Sequence, residues 1–112
     1  MSETNDDVAV LDRVFAVIQG RRGGDPESSY VARLFHKGTR KIAQKMGEEA
    51  VETVIAAMSQ KRKDIVGESA DLMFHLMILW ADAGVRPQDI WAELARREGV
   101  SGVDEKKKRA IA

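Results

Sequence analysis

The sequence predicts an all-α protein of four to five helices, and three observations carry that expectation. Long helix-favouring residues (Ala, Leu, Met, Glu, Lys, Arg and Gln) outnumber the β-branched ones, and aromatics make up only 5% of the chain. Apolar residues recur at three- and four-residue spacing. Glycines near 20, 38, 84 and 99 stand where those periodic stretches stop. With 112 residues and 44% hydrophobic content, the chain makes one domain with a small core.

The first helix is expected from about Asp6 to Gln19, because Val8, Leu11, Val14, Phe15 and Ile18 share a face. Asn5, Asp6 and Asp7 precede it as caps and suit its positive end. GRRGGDPESS, residues 20–29, reads as a loop. YVARLFHKG follows as a short helix capped by Ser28 or Ser29 and ending near Gly38, where a residue without Cβ takes a left-handed conformation. A long helix is expected over about Thr39 to Gln60. Another runs from Asp64, its expected cap, to Asp82, ending at Ala83-Gly84. VRPQDIWAELARREG then places Pro87 early in a last helix whose apolar side holds Ile90, Trp91, Leu94 and Ala95. The domain is expected over residues 1–98, with residues 99–112 a charged, flexible, solvated tail that includes the basic run Lys106 to Arg109.

Eighteen basic and eighteen acidic residues cancel, so no global field draws the protein to nucleic acid or to an anionic membrane. The absence of cysteine removes disulfides, thiol nucleophiles and Cys-based zinc sites, and suits a reducing compartment. MSETNDDVAV lacks the basic-then-apolar order of a signal peptide. The most apolar run, Leu72 to Ala81, is broken by His75 and too short to span a bilayer. A soluble cytoplasmic protein is expected.

Local charge is more informative. At 100° per residue, Glu48, Glu52 and Glu49 fall at about 0°, 40° and 100° on one helix flank, with Lys41 and Lys45 in the same sector. Ile42, Ala43, Met46, Ala50, Val54 and Met58 gather opposite. Taken alone, this is an ordinary exposed helix laced by i,i+3 and i,i+4 ion pairs. The next helix changes the weighing. Leu, Met, Ile, Phe and Trp surround nearly all of its axis, while Glu68, Asp71, His75 and Asp82 lie within about 60° of one another as a polar seam. Acids on so apolar a helix call for a cation, a protonation shift or partial exposure in a cleft. An antiparallel pairing across Lys61 to Lys63 lets Glu48, Glu49 and Glu52 face Glu68 and Asp71. Bound divalent cations are the simplest way to keep such a group ionised, and hard oxygen ligands suit Mg²⁺ or Mn²⁺ over Zn²⁺.

The spacing Glu48-Glu49-x-x-Glu52, then Glu68-x-x-Asp71, resembles that of the all-α nucleoside triphosphate pyrophosphohydrolases, the MazG-like superfamily, whose acids bind Mg²⁺. Within it, SYVARLF (29–35), KGTRKIAQKMGEEAVE (37–52), GESADLMFHLMIL (67–79) and IWAELARRE resemble the phosphoribosyl-ATP pyrophosphatase family. The likeness covers about residues 9–98. Val31 departs from the family's common small polar residue and Phe74 from its common tyrosine; neither touches the acids.

The resemblance implies a MazG-like bundle and hydrolysis of phosphoribosyl-ATP between its α and β phosphates, giving phosphoribosyl-AMP and pyrophosphate in the second step of histidine biosynthesis. Glu49, Glu52, Glu68 and Asp71 are expected as metal ligands. Glu48 is expected either to bind a second metal or to act as general base. Lys45 and Lys41 are candidates to bind the polyphosphate, or else simply pair with the acids. His75 is expected to be a hydrogen-bonded partner of the seam and not a ligand. Arg33, His36, Lys37, Arg96 and Arg97 are further candidates for substrate contact, against a solvated face. Trp80 and Trp91 are expected in the core or an interface. Four or five short helices cover the central helix poorly, so a homodimer is expected, a view the resemblance supports. The rival readings are a house-cleaning nucleoside triphosphate pyrophosphatase using the same metal site, and a non-catalytic helical interaction module.

Overall fold

The computed structural model describes residues 7–111; Asn5 and Asp6, two of the expected caps, lie outside that range. Among the described residues there are six helices and no strand: α1 (Ala9–Arg21), α2 (Tyr30–Lys37), α3 (Thr39–Ser59), α4 (Arg62–Ala83), α5 (Pro87–Arg97) and α6 (Gly102–Ile111).

Asp7 caps α1 by accepting the Ala9 N–H at 3.0 Å. The helix continues past the expected Gln19, through Gly20, to Arg21. Beyond it the Arg22 guanidinium lies over the Phe35 ring, 5.0 Å from its centroid, and donates to the Ala81 carbonyl of α4. The α1 end is thereby tied to both α2 and α4.

Of the two serines proposed to cap α2, Ser29 does so, accepting the Ala32 N–H at 3.1 Å. Gly38 ends the helix at φ 94° and ψ 179°, a positive-φ extended conformation essentially confined to glycine and not the left-handed helical one. That geometry lets α3 start at the next residue.

The α3–α4 turn is tighter than expected. Gln60 stops α3 in the left-handed conformation, and α4 begins at Arg62. Asp64 is therefore not the cap; it sits in the first turn, where its charge complements the helix dipole. The two helices run antiparallel in constant register, with Thr53 beside Glu68 and Thr39 beside Asp82. α4 ends in a Schellman motif: Gly84 is left-handed at φ 74° and the Val85 N–H reaches the Trp80 carbonyl at 2.9 Å. At the start of α5, Asp89 accepts the Arg86 N–H at 2.9 Å, and Pro87 occupies the first turn. Trp80 and Trp91, both half-buried, meet edge to face at 6.1 Å, joining α4 to α5.

The charged tail takes helical form. Ser101 accepts the Asp104 N–H at 3.1 Å, and the charged run forms α6, with Lys106 to Arg109 exposed.

The core lies at one end of the α3–α4 hairpin, where Ile18, Val31, Leu34, Ile42, Met77, Ile78 and Ala81 pack together. The outer end carries little of it. Ile42 is buried as its helix face predicts, but Ala43, Val54 and Met58 on that face are exposed. Likewise α4 is enclosed from His75 onward, whereas Val66 and Met73 are exposed. The apolar perimeter of this helix is thus covered only in its second half, because within one chain α1 and α2 reach only that part.

Candidate metal centre

Antiparallel register brings the middle of α3 against the first half of α4, and three of the expected acids converge there. Glu49, Glu68 and Asp71 each offer a carboxylate oxygen within 4.8 Å of the others. Two come from one helix and one from its neighbour, so the hairpin itself builds the cluster. Glu49 and Glu68 are half-buried and Asp71 is exposed, leaving one side open to solvent. Burial pushes the Glu68 carboxyl above its ordinary range, and the negative charges of Asp71, Glu52, Glu49 and Asp64 push it further. Every charge acting on it in that set is negative. A hard divalent cation fits such a site, since oxygen ligands 2.0–2.6 Å from an ion stand about 3–5 Å apart.

A threonine that sequence reasoning passed over stitches the two carboxylate-bearing turns together. The Thr53 hydroxyl lies 2.8 Å from the Glu49 carbonyl and 3.2 Å from that of Glu68. Its position four residues after Glu49, on the same flank, was the available signal.

Glu52, the fourth expected ligand, stands at the margin. It lines a small cleft with Ser59, Asp64 and Glu68, and its charge acts on Glu68, but it is not one of the three convergent groups. Glu48 points to different partners. It accepts from Gln44 Nε2 at 2.7 Å and from Lys45 Nζ at 3.1 Å. Those two bonds, Gln44 first, hold its carboxyl below the usual range. Lys45 is raised in turn, mainly by its bond to Glu48. Lys41 reaches Gln44 Oε1 at 3.5 Å, a long contact on the exposed side of α3.

His75 is a seam partner, as expected. Its Nδ1 lies 2.8 Å from the Asp71 carbonyl, which can only accept, so that nitrogen carries the proton. Nε2 then accepts from the Tyr30 hydroxyl at 2.7 Å. With both ring nitrogens engaged, His75 has none left for a metal. Tyr30, the one tyrosine of the chain, also escaped sequence reasoning. Burial raises its pKa, with Lys45 opposing and Glu49 and Glu48 adding to the rise, which locates it beside the lysine end of the acidic stripe.

Other candidates lie elsewhere. Asp82 leaves the seam to accept from Thr39 Oγ1 at 2.6 Å. Arg33 Nε donates to the Pro26 carbonyl at 3.2 Å, tying down the α1–α2 loop. Arg96 and Arg97 both bond Glu93, at 2.6 and 2.9 Å, and lower its pKa to about 2. No helix among the described residues is long and apolar enough to cross a membrane.

Comparison with known proteins agrees with this geometry. Residues 11–98 match the family model described as phosphoribosyl-ATP pyrophosphohydrolase. A phosphoribosyl-ATP pyrophosphatase from Azospirillum brasilense is 58% identical over 109 residues, spanning 97% of this chain and 98% of that protein. One from Paramagnetospirillum magneticum is 59% identical over 104 residues, 93% of this chain and 95% of that one. A third, from Rhizorhabdus wittichii, is 61% identical over 99 residues, 88% and 93% of the two chains. The matched region contains α2 to α5, most of α1 and all five acids of the two motifs, so the chain belongs to the phosphoribosyl-ATP pyrophosphohydrolase family.

Proposed function

We propose that this protein hydrolyses phosphoribosyl-ATP to phosphoribosyl-AMP and pyrophosphate, the second step of histidine biosynthesis, with Mg²⁺ (or Mn²⁺) bound by Glu49, Glu68 and Asp71 and bordered by Glu52. The observation that carries the reading is the convergence of three carboxylates from two helices in a chain of this family. Water attacks the α phosphorus, the bond from that phosphorus to the bridging oxygen breaks, and pyrophosphate leaves. When bound, Mg²⁺ supplies neutralisation of the phosphate oxygens and helps orient the water.

The side chains of this chain do the rest. Glu49 and Glu68, held in register by Thr53, keep the cation-binding oxygens at fixed separation. Lys45, half-buried beside Tyr30 and Glu49, binds the polyphosphate, and Lys41 adds charge one turn away. Glu48 is the expected proton acceptor. Its bonds to Gln44 and Lys45 hold its carboxyl below the usual range, and phosphate binding at the lysine removes the second of those two.

A second copy of the chain completes the bundle in this proposal. Val51, Val54, Ile55, Met58 and Val66 lie exposed on the outer hairpin, next to the acids, and an apolar surface of that kind is typical of subunit contacts. A cytoplasmic location suits the cysteine-free chain. The deciding assay is pyrophosphate release from phosphoribosyl-ATP beside a panel of ordinary nucleoside triphosphates. Strong preference for phosphoribosyl-ATP is expected; comparable turnover of plain ATP would move the protein to the house-cleaning class.

A further inference from the structure

The candidate metal centre lies between α3 and α4, on the side where Tyr30 at the start of α2 meets His75. Where the α1–α2 loop and the end of α2 meet the end of α4 is a separate cleft of about 420 Å³, lined among others by Arg22, Gly23, Gly24, His36 and Asp82. Its volume falls in the range of about 300–1,000 Å³ usual for small-molecule sites.

Three features of this cleft point to a ligand of defined chemistry. Arg22 is held in place by Phe35 and the Ala81 carbonyl, yet no carboxylate lies within ion-pair distance of it among the described residues. One of its five N–H donors is used by that carbonyl, so a fixed cation with spare donors borders the cleft. Asp82 uses one oxygen toward Thr39 and retains acceptor capacity on the other. Finally, the residues leading from here to the metal centre are strongly biased. Positions 28–47 hold Arg33, Lys37, Arg40, Lys41 and Lys45 and no acid, in a chain whose charges balance only when counted as a whole. A bare phosphate would suit Arg22 but be repelled by Asp82. A sugar phosphate suits both, because hydroxyl groups donate to a carboxylate while the phosphate accepts from a guanidinium.

Asp71 and Asp82 are eleven residues apart on α4, about 16 Å of rise, and within about 20° on the helix. They lie along one side of the same helix. The substrate carries its triphosphate-bearing ribose on one edge of the purine and a phosphoribosyl group on another, so it is elongated with phosphate at both ends. We propose that the Arg22–Asp82 cleft holds the phosphoribosyl end: Arg22 and His36 take its phosphate, and Asp82 accepts from its ribose hydroxyls. This rests on the substrate assigned above and explains how the protein discriminates that substrate from ATP, which lacks the second sugar phosphate.

Titrating ribose 5-phosphate into the full-length protein, without metal, tests the cleft independently of turnover. Amide shifts at Gly23, Gly24 and His36 that saturate, and that inorganic phosphate does not reproduce at equal concentration, are the expected result. Shifts confined to Lys45 and its neighbours, equal shifts with inorganic phosphate, or none at millimolar ligand overturn the proposal. In kinetics, Arg22→Gln and Asp82→Asn are expected to raise KM for phosphoribosyl-ATP about tenfold or more with kcat changed much less, the signature of lost ground-state binding. Mn²⁺ affinity at the metal centre should not change. His36→Gln, an exposed substitution, gives the same direction with a smaller effect and stands in if Arg22→Gln fails to fold. Unchanged KM in Asp82→Asn and His36→Gln sinks the cleft assignment while leaving the reaction intact. A wild-type protein that binds ribose 5-phosphate here but does not prefer phosphoribosyl-ATP instead overturns the functional reading alone.

Discussion

Replacing Tyr30 by phenylalanine deletes one oxygen and, with it, the donor that satisfies His75 Nε2. That bond is 2.7 Å long, and His75 is only 7% exposed, so little water reaches the orphaned nitrogen. Leaving a buried acceptor unpaired costs about 1–3 kcal/mol. Tyr30 is itself 40% exposed, which lets solvent approach the vacated position and favours the lower part of that range, about 1–2 kcal/mol. For a domain of this size the melting midpoint should fall by about 4–8 °C, measured by circular dichroism in metal-free buffer. The effect should also reach the metal centre. His75 is bonded to the carbonyl of Asp71, so Tyr30→Phe is expected to weaken Mn²⁺ binding by up to about tenfold in calorimetry. In a His75→Phe background the second substitution should cost almost nothing, because the acceptor is already gone. A Tyr30→Phe protein that melts and binds Mn²⁺ like the parent would refute the idea that this pair steadies the Asp71 turn.

Conservative removal of each convergent carboxylate, in Glu49→Gln, Glu68→Gln and Asp71→Asn, is expected to abolish saturable Mg²⁺ or Mn²⁺ binding and pyrophosphate release. Glu52→Gln should retain weak binding, since Glu52 only borders the cluster; equal tolerance of all four substitutions would dismiss the metal centre. In the metal-free protein Glu68 holds its proton more tightly folded than unfolded. Its contribution to stability is therefore full below the unfolded value near 4.5 and lost as pH rises through the raised folded value. Denaturation curves across that window should show stability falling with pH, and Glu68→Gln should flatten that part of the profile; an unchanged slope means burial and like charge do not act on Glu68 as described. Light scattering is expected to give twice the 12.4 kDa chain mass, reverting to one chain in Ile55→Glu combined with Met58→Glu. A monomeric parent protein contradicts the proposed dimer.

What could be read without coordinates, and what could not, follows from how far each signal travels along the chain. The helices and the two acidic motifs were legible because both depend on spacing within one helix. Which of the five acids meet was not. A helical wheel places Glu48, Glu49 and Glu52 on one flank about 100° wide, but the packing of α3 on α4 decides that Glu49 faces Glu68 while Glu48 turns to Gln44 and Lys45. Asp82 shows the same limit, since it shares a helix face with Asp71 yet sits a full core away, beside Thr39. Tyr30 bonds His75 across two elements, a relation no local pattern encodes; Thr53 carries a local signal four residues after Glu49, but its contact with the Glu68 carbonyl on the next helix is equally beyond any local pattern. The helical form of the tail was not legible for a different reason. Its charge density reads as a solvated end, and Lys106 to Arg109 are indeed exposed, but Ser101 as cap with acid before base complements a helix dipole, so the segment forms a helix locally.

Because the buried residues collect at one end of the α3–α4 hairpin, resistance to opening cannot be uniform along it. Amides near Ile42 and Ile78 are shielded by the whole core, whereas those near Val54 and Ile65 depend on little beyond their own helices. Hydrogen exchange should accordingly trace a gradient, slow at the base and fast toward Gln60. The carboxylates lie partway up that gradient. A cation clamped between α3 and α4 would therefore act on the protein's fluctuations as well as on its substrate, suppressing the openings of the outer hairpin that its own first half of helix cannot prevent.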